Sequence, residues 1–479
     1  MGWLGTWAKR IKLDIDYTNK IGASVTWFPI TIHLKDANGD STKIFEEITT
    51  NSRKIAITKP DGTTELKAEI EQWDYDAGTV ADSVAIIHAS ADGWVIDEDT
   101  SVYLYYDSTH ADNANVGDDP DDAPSSAVWD DDFEMIQHMK DITTSTIKDS
   151  TLNNNDGYKY AANQPLEVDG DVGPAQSFDA SNDFIDVGNA SGIEPTTGDS
   201  FTISSLVRPS TSGAYYFIVS NDAVYGEGFV LAMNDSNSFY MSQDGGWETA
   251  NNAAIDGALY LVTGVWKSGT PYVLDLYVNG VLQTGSGDTS NNLTLGGNVN
   301  IGRGPRPTAY YGGTIIVTRF TSSARSAAWI KGTYNTLFDE LLTYGSEKLL
   351  TNHAILAVYN RNNIIGQADQ YWKPEIKTIA SYDTLQPSKH LLKELASEDY
   401  IRVFGTQLLA SRVFGKMVQN DSDTIAKSAF YNYSRVLDSG EKAILYAILG
   451  EPSQANQEAW DIWQATTVIA GYRFDQPLS

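Results

Sequence analysis

The sequence predicts a mainly β protein in which two β-sandwich domains are followed by a mostly α-helical C-terminal domain. Three observations carry that expectation. Near the start, Ile11, Leu13, Ile15 and Tyr17 alternate with Lys12, Asp14 and Asp16, the period of two that marks a strand with one face in the core. The middle of the chain sets short β-patterned runs among Gly, Asn, Ser and Tyr, and Asn279-Gly280 lies between apolar runs as a tight hairpin turn does. Beyond Asp339 the period becomes helical: Ile425, Ala426, Ala429, Phe430, Tyr433, Val436 and Leu437 share one helical face behind Ser422 or Asp423 as N-cap.

Taken in order, the first domain is expected over residues 1–128. Asp107 to Pro124, rich in turn formers and acid, forms a connector to a second domain over 129–340. The third domain, 341–479, opens further helices at Ser397 and Ser453, the last presenting Trp460 and Trp463. Its aromatic content suits a packed bundle or a docking face. The length of 479 residues fits three domains of ~150 residues each.

Composition removes several functions. The chain has no cysteine, so a disulfide framework, a thiolate zinc site and a cysteine nucleophile are excluded. Its six histidines, His33, His88, His110, His138, His353 and His390, are dispersed without metal-ligand spacing and read as surface or packing residues. The formal charge is −30, and it is uneven: residues 1–340 hold 20 Lys and Arg against 48 Asp and Glu, whereas residues 341–479 hold 13 against 15. That surface disfavours nucleic acid and anionic lipid as partners, and it equally suits solubility in a salty medium. No run approaches the ~18 apolar residues of a membrane span, and Met1 to Trp7 lacks the apolar core of a signal peptide.

Several motifs of the middle domain resemble a laminin-G-like module of the concanavalin A-like type. They are Asp169-Gly-Asp-Val-Gly-Pro-Ala-Gln-Ser-Phe-Asp179 with Phe184-Ile-Asp-Val187, then Phe201-Thr-Ile-Ser-Ser-Leu-Val-Arg-Pro209, Leu274-Asp-Leu-Tyr-Val-Asn-Gly-Val-Leu282 and Gly313-Thr-Ile-Ile-Val-Thr-Arg-Phe320. Ser323 to Lys331 resembles the family's short terminal helix, and Leu206 stands where tryptophan is usual. The resemblance implies a jelly roll over about residues 129–340. The run from Trp7 to Trp129, including Trp27-Phe-Pro-Ile-Thr-Ile-His-Leu34 and Glu69-Ile-Glu-Gln-Trp-Asp74, resembles a β-domain of unassigned function that often precedes such modules in microbial surface and phage proteins.

Three constellations bear on chemistry. Glu69, Glu71 and Asp74 carry the i, i+2, i+5 carboxylate spacing of laminarinase-like hydrolases, in which alternate strand residues point a nucleophile and an acid into a cleft. They lie outside the jelly roll and their acid types are permuted, so the expectation is that the chain is not an enzyme. The loop Lys148 to Gly157 resembles the family's calcium loop, with Asp149 and Asn154 as ligands of a single structural calcium ion, although Ile316 and Val317 replace the acidic pair that would assist. An Asx-rich turn is the alternative reading. Finally, Tyr215, Tyr216, Tyr225, Asp244, Trp247, Arg303, Arg306, Tyr310 and Tyr311 lie in loop-like segments suited to glycan, with aromatic faces for stacking and polar groups for hydroxyls. Core or inter-subunit contacts account for these aromatics about as well.

The expected function is therefore a non-enzymatic, exposed structural protein of a virion, a tail fibre, spike or capsid-surface component, with a lectin-like module for attachment to host-surface glycan. It would join other virion proteins or further copies of itself through residues 341–479 as a homo-oligomer, with no nucleic acid and no membrane insertion. A secreted or cell-surface polysaccharide-binding adhesin is the alternative, and a glycan hydrolase comes third.

Overall fold

The computed structural model describes residues 3–349, apart from 162, 191, 212, 222–227, 244–245, 270, 285–287, 291–292, 294–296 and 305–308, together with a hairpin at 355–361 and 372–378. Residues 1–349 form one compact unit. The hairpin, Ile355–Arg361 against Trp372–Thr378, belongs to a second unit, and the helices expected from 397, 422 and 453 lie outside the described residues.

The first domain is built on strands β1 (Lys9–Ile15), β2 (Ile30–Leu34), β3 (Ile55–Thr58), β4 (Lys67–Asp74), β5 (Val84–Ser90) and β6 (Thr100–Tyr106). One sheet runs β1–β6–β3 and the other β2–β5–β4, the latter extended by a short parallel pairing of β4 with Val116–Gly117. The alternation read from the sequence places Ile11, Leu13 and Ile15 in a shared core with Ile30, Ile32, Ile87 and Leu104. The connector is not simply a solvated acidic loop. Asp107 accepts from the Ala8 amide, and Trp129 closes the core.

The second domain contains β7 (Phe133–Thr143), β8 (Phe201–Pro209), β9 (Tyr216–Ser220), β10 (Phe229–Met233), β11 (Ser238–Gln243), β12 (Gly246–Ala253), β13 (Tyr260–Lys267) and β14 (Gly312–Thr321), with shorter strands completing a closed, almost wholly antiparallel system. Its core stacks Phe201 on Trp266 at 4.5 Å between ring centroids, with Phe229 and Phe320 alongside. Gly264 makes this possible, since a Cβ there would stand 2.7 Å from the Trp266 ring. The Asn279-Gly280 turn is present, with both residues at positive φ between Tyr272–Val278 and Val281–Leu282.

The chain then returns to the first domain. The closing helix, Ala327–Leu337, is capped by Ser326, whose hydroxyl accepts from the Trp329 amide. Trp329 meets Phe28 edge-on, Thr336 Oγ1 accepts from the Thr31 amide at 2.6 Å, and Leu337 joins Ile86, Leu206, Leu261, Ile316 and Val317 in an apolar layer between the domains. Replacing Ser326 by Ala should cost about 1 kcal/mol of unfolding free energy through loss of the cap, read from the denaturation midpoint at unchanged slope.

Next comes β15 (Leu342–Leu349), which pairs antiparallel with β1 as the outer strand of the first sheet. The expected boundary after residue 340 is therefore corrected: residues 342–349 belong to the first β-domain. A register shift at Ile11/Leu13, opposite Gly345, interrupts the period of two and hides the strand in the sequence.

Candidate functional site

The sheet β9–β10–β11–β12 presents one face to the core and one outward. Residues directly opposite on neighbouring antiparallel strands share a face, so the pairings Ser220–Val230, Val230–Ser242 and Ser242–Trp247 form one transverse row, and Phe217–Ala232, Ala232–Tyr240 and Tyr240–Thr249 form the next. A register shift in β9 puts Phe217 and Ser220 on this outer face while Ile218 and Val219 both enter the core. Phe217, Val230 and Ala232 form an apolar floor with Ala309, and Tyr215 and Tyr240 pack against it, edge to face with each other at 6.2 Å between centroids. The loop bearing Arg303 and Tyr310 is pinned over the Phe217 end by the Ser220 hydroxyl, which donates to the Arg303 carbonyl at 2.8 Å. Gly304 fits there because a Cβ would stand 2.3 Å from the Phe217 ring. At the other end Trp247 is 63 % exposed beside half-buried Ser242 and Thr249.

Of the nine residues expected to contact glycan, the structure therefore groups four around this face: Tyr215, Trp247, Arg303 and Tyr310. Arg303 is exposed, with its guanidinium 4.8 Å from the Phe184 ring. Tyr216 and Tyr311 are corrected. They are 4 % and 0 % exposed and pack in the core, Tyr216 at the start of β9 and Tyr311 just before β14, edge-on to Phe178. Tyr225, Asp244 and Arg306 lie outside the described residues. Tyr240, Ser242 and Thr249 escaped the sequence reading, although counting back from Trp247 across a tight turn would have aligned them.

Asp149 and Asn154 do not share a cation position. The buried Asp149 carboxylate accepts from the Ile136, Thr151 and Asn155 amides and the Thr151 hydroxyl, at 2.7–3.0 Å. Burial pushes this carboxyl up to about 6, against the pull of those donors. Asn154 is exposed at φ 56°, its amide donating to the Leu152 carbonyl. The loop is thus an Asx-type turn tied together through Asp149. The second reason is topological: Ile316 and Val317, where the family's acidic pair would stand, line the apolar layer between the domains.

The paired carboxylates of β4 are buried between the domains instead of opening into a cleft. Glu69 accepts from Trp129 Nε1 at 2.7 Å and from the Ser150 hydroxyl at 2.5 Å. Glu71 Oε2 takes His88 Nε2 at 2.7 Å and stands 3.1 Å from His138 Nδ1, while Arg319 from β14 lies buried with its guanidinium 5.2 Å from the Trp129 ring. Burial would raise Glu71, but the imidazoles of His138 and His88 outweigh it and hold the carboxyl down to about 2. Burial also lowers His138, yet Glu71 and Glu69 drive it up to about 9. His88 is lowered to about 4 by burial. Asp74, by contrast, is exposed at the end of β4 and accepts from Gln72.

Comparison with known proteins bears on the second domain. Residues 179–331 match the profile of the concanavalin A-like lectin/glucanases superfamily, in its laminin-G form. The middle of the chain is a concanavalin A-like jelly roll. Solved structures that match part of the chain include domain 4 of an extracellular arabinanase from Geobacillus stearothermophilus in complex with arabinotriose, at 13 % identity over 42 % of this chain and 96 % of that one, TM-score 0.33. The binding domain of a paraclostridial mosquitocidal protein is 15 % identical over 53 % of this chain and 65 % of its own, TM-score 0.35. The receptor-binding domain of botulinum neurotoxin D is 12 % identical over 48 % and 55 %, TM-score 0.34. Among curated proteins no sequence matches the chain. Among the described residues no helix is long and apolar enough to cross a membrane.

Proposed function

We propose that this chain is a non-enzymatic recognition protein displayed on a virus particle, as a tail fibre, spike or capsid-surface component, and that its jelly roll attaches to host-surface glycan. The observation that carries the reading is the outer face of β9–β12, where exposed Trp247 stands beside Ser242 and Thr249 at one end and an apolar floor lies at the other. A pyranose buries its apolar ring face on such an indole while nearby hydroxyls exchange hydrogen bonds with its own. The burial of Glu69 and Glu71 supports a binding role over hydrolysis, since neither carboxylate is open to a sugar. The charge of −30 suits an exposed surface and disfavours nucleic acid as partner. Copies of the chain, or other particle components, would be gathered through the near-neutral segment beyond Leu349, because the acidic β part repels its own copies. A surface or secreted adhesin would use the same glycan face.

Screening the full chain against host-envelope polysaccharides and a broad glycan panel should yield at least one binder. Complete absence of binding would leave the jelly roll as architecture. Mass spectrometry and electron microscopy of purified virions should find the chain on the particle exterior, and detection only in cell-surface or secreted fractions would replace the virion reading with the adhesin.

A further inference from the structure

We propose that Glu71, His88 and His138 form a binding site for one divalent transition-metal ion of the zinc(II) class, which clamps the first β-domain to the jelly roll. Each residue offers one ligand atom, and these atoms lie within 4.8 Å of one another although they come from β4, β5 and β7 in two domains. Zinc(II) holds imidazole nitrogen and carboxylate oxygen at about 2.0–2.2 Å, which sets ligand atoms roughly 3.3 Å apart around a tetrahedral ion. The separations of 2.7 Å and 3.1 Å onto Glu71 Oε2 would need to widen by about 0.6 Å and about 0.2 Å to admit it, a side-chain adjustment.

Three further observations point to a ligand. Glu71 Oε1 is buried without a hydrogen-bond partner, a costly state for a carboxylate, and a cation held on Oε2 would offset the charge of the whole group. His88 has an outer group at its other ring nitrogen, with Thr31 Oγ1 3.1 Å from Nδ1, the pattern by which metal-ligating imidazoles are fixed in tautomer and orientation. His138 Nε2 is buried without a hydrogen bond, with the Glu69 carboxylate 3.5 Å away. The backbone is also irregular at both carriers, with a bulge at Glu71 in β4 and a register shift after Gln137 in β7, where Met139 has φ 55°. The charges are compatible as well: Arg319 stands near both Glu71 and Glu69, and binding of zinc(II) would release the imidazole proton at His138, leaving the His2Glu donor set that zinc(II) accepts. Near-complete burial marks the site as structural, not catalytic.

The test uses untagged full-length protein, stripped with a chelator, reloaded with Zn(II) and passed through gel filtration. About one zinc per chain should be retained, with a melting temperature above that of the stripped protein. Co(II) in place of zinc should give visible d–d absorption in the unmutated protein, so this arm does not depend on a variant folding. Thr31→Val should weaken Zn(II) binding about tenfold, and Glu71→Gln should abolish it. Stripped and loaded proteins that melt alike, retain no zinc and show no Co(II) bands would overturn the proposal. So would zinc retained by Glu71→Gln but lost from a variant of the surface carboxylates Asp118, Asp119 and half-buried Asp122.

Discussion

A chain ending at Asp339 will lose the cooperative unfolding of its first domain, whereas one ending at Leu349 will keep it. The shorter chain lacks β15, which pairs with β1 from Lys9 to Ile15, and loses Leu341 and Leu342 from the core. It also loses the Tyr344 hydroxyl that accepts from the His33 amide at 2.7 Å, and the contact between Glu347 and the Tyr106 hydroxyl. What remains is a β1 with unpaired backbone groups along a long apolar edge, a surface that recruits other chains. Removing two buried leucines alone should cost about 4 kcal/mol or more, which lowers the melting temperature by roughly 5 °C in a unit of 349 residues. Calorimetry of the two truncated chains decides the point. A chain ending at Asp339 that melts within about 2 °C of the longer one would show that β15 contributes little.

The second large effect is expected at Arg319. Its guanidinium lies in the layer between the domains and supplies positive charge to Glu69 and Glu71, both buried. Burial depresses its own proton affinity to about 10, against the pull of Glu71 and Glu69, so it remains charged at neutral pH. Arg319→Met keeps much of the volume but leaves Glu69 and Glu71 to share the His138 imidazolium, 3.5 Å from Glu69, and a buried carboxylate so under-compensated costs about 3–5 kcal/mol. Urea denaturation should show a loss of that size. A loss below about 1 kcal/mol would mean that the hydrogen bonds from Trp129 and Ser150 suffice for Glu69 without the cation.

Much of the fold was legible because it rests on local pattern. The alternation of Ile11, Leu13 and Ile15, the Asn279-Gly280 turn and the motifs around Phe178 and Phe320 fix strands through short-range preferences and recur where the structure places strands. The return of the chain was not legible. Leu342 to Leu349 is a strand because β1 needs a partner, and its bulge at Gly345 erases the period that would have marked it. The buried site was hidden for the same reason. His88 and His138 are separated by fifty residues, and only the packing of one sandwich on the other sets both against Glu71. On the outer face of β9–β12, residue type alone led to Trp247, which is exposed, and equally to Tyr216 and Tyr311, which are buried in the core, because type does not say which way a side chain points.

The glycan face is tested most directly by titrating the full chain and its Trp247→Ala variant with a polysaccharide that the unmutated protein binds. Since Trp247 is 63 % exposed, the variant should melt like the parent, while affinity falls by about 1–3 kcal/mol, or roughly 5- to 150-fold, through loss of the stacking surface. Unchanged affinity in a correctly folded Trp247→Ala protein would contradict the account and place recognition elsewhere on the chain.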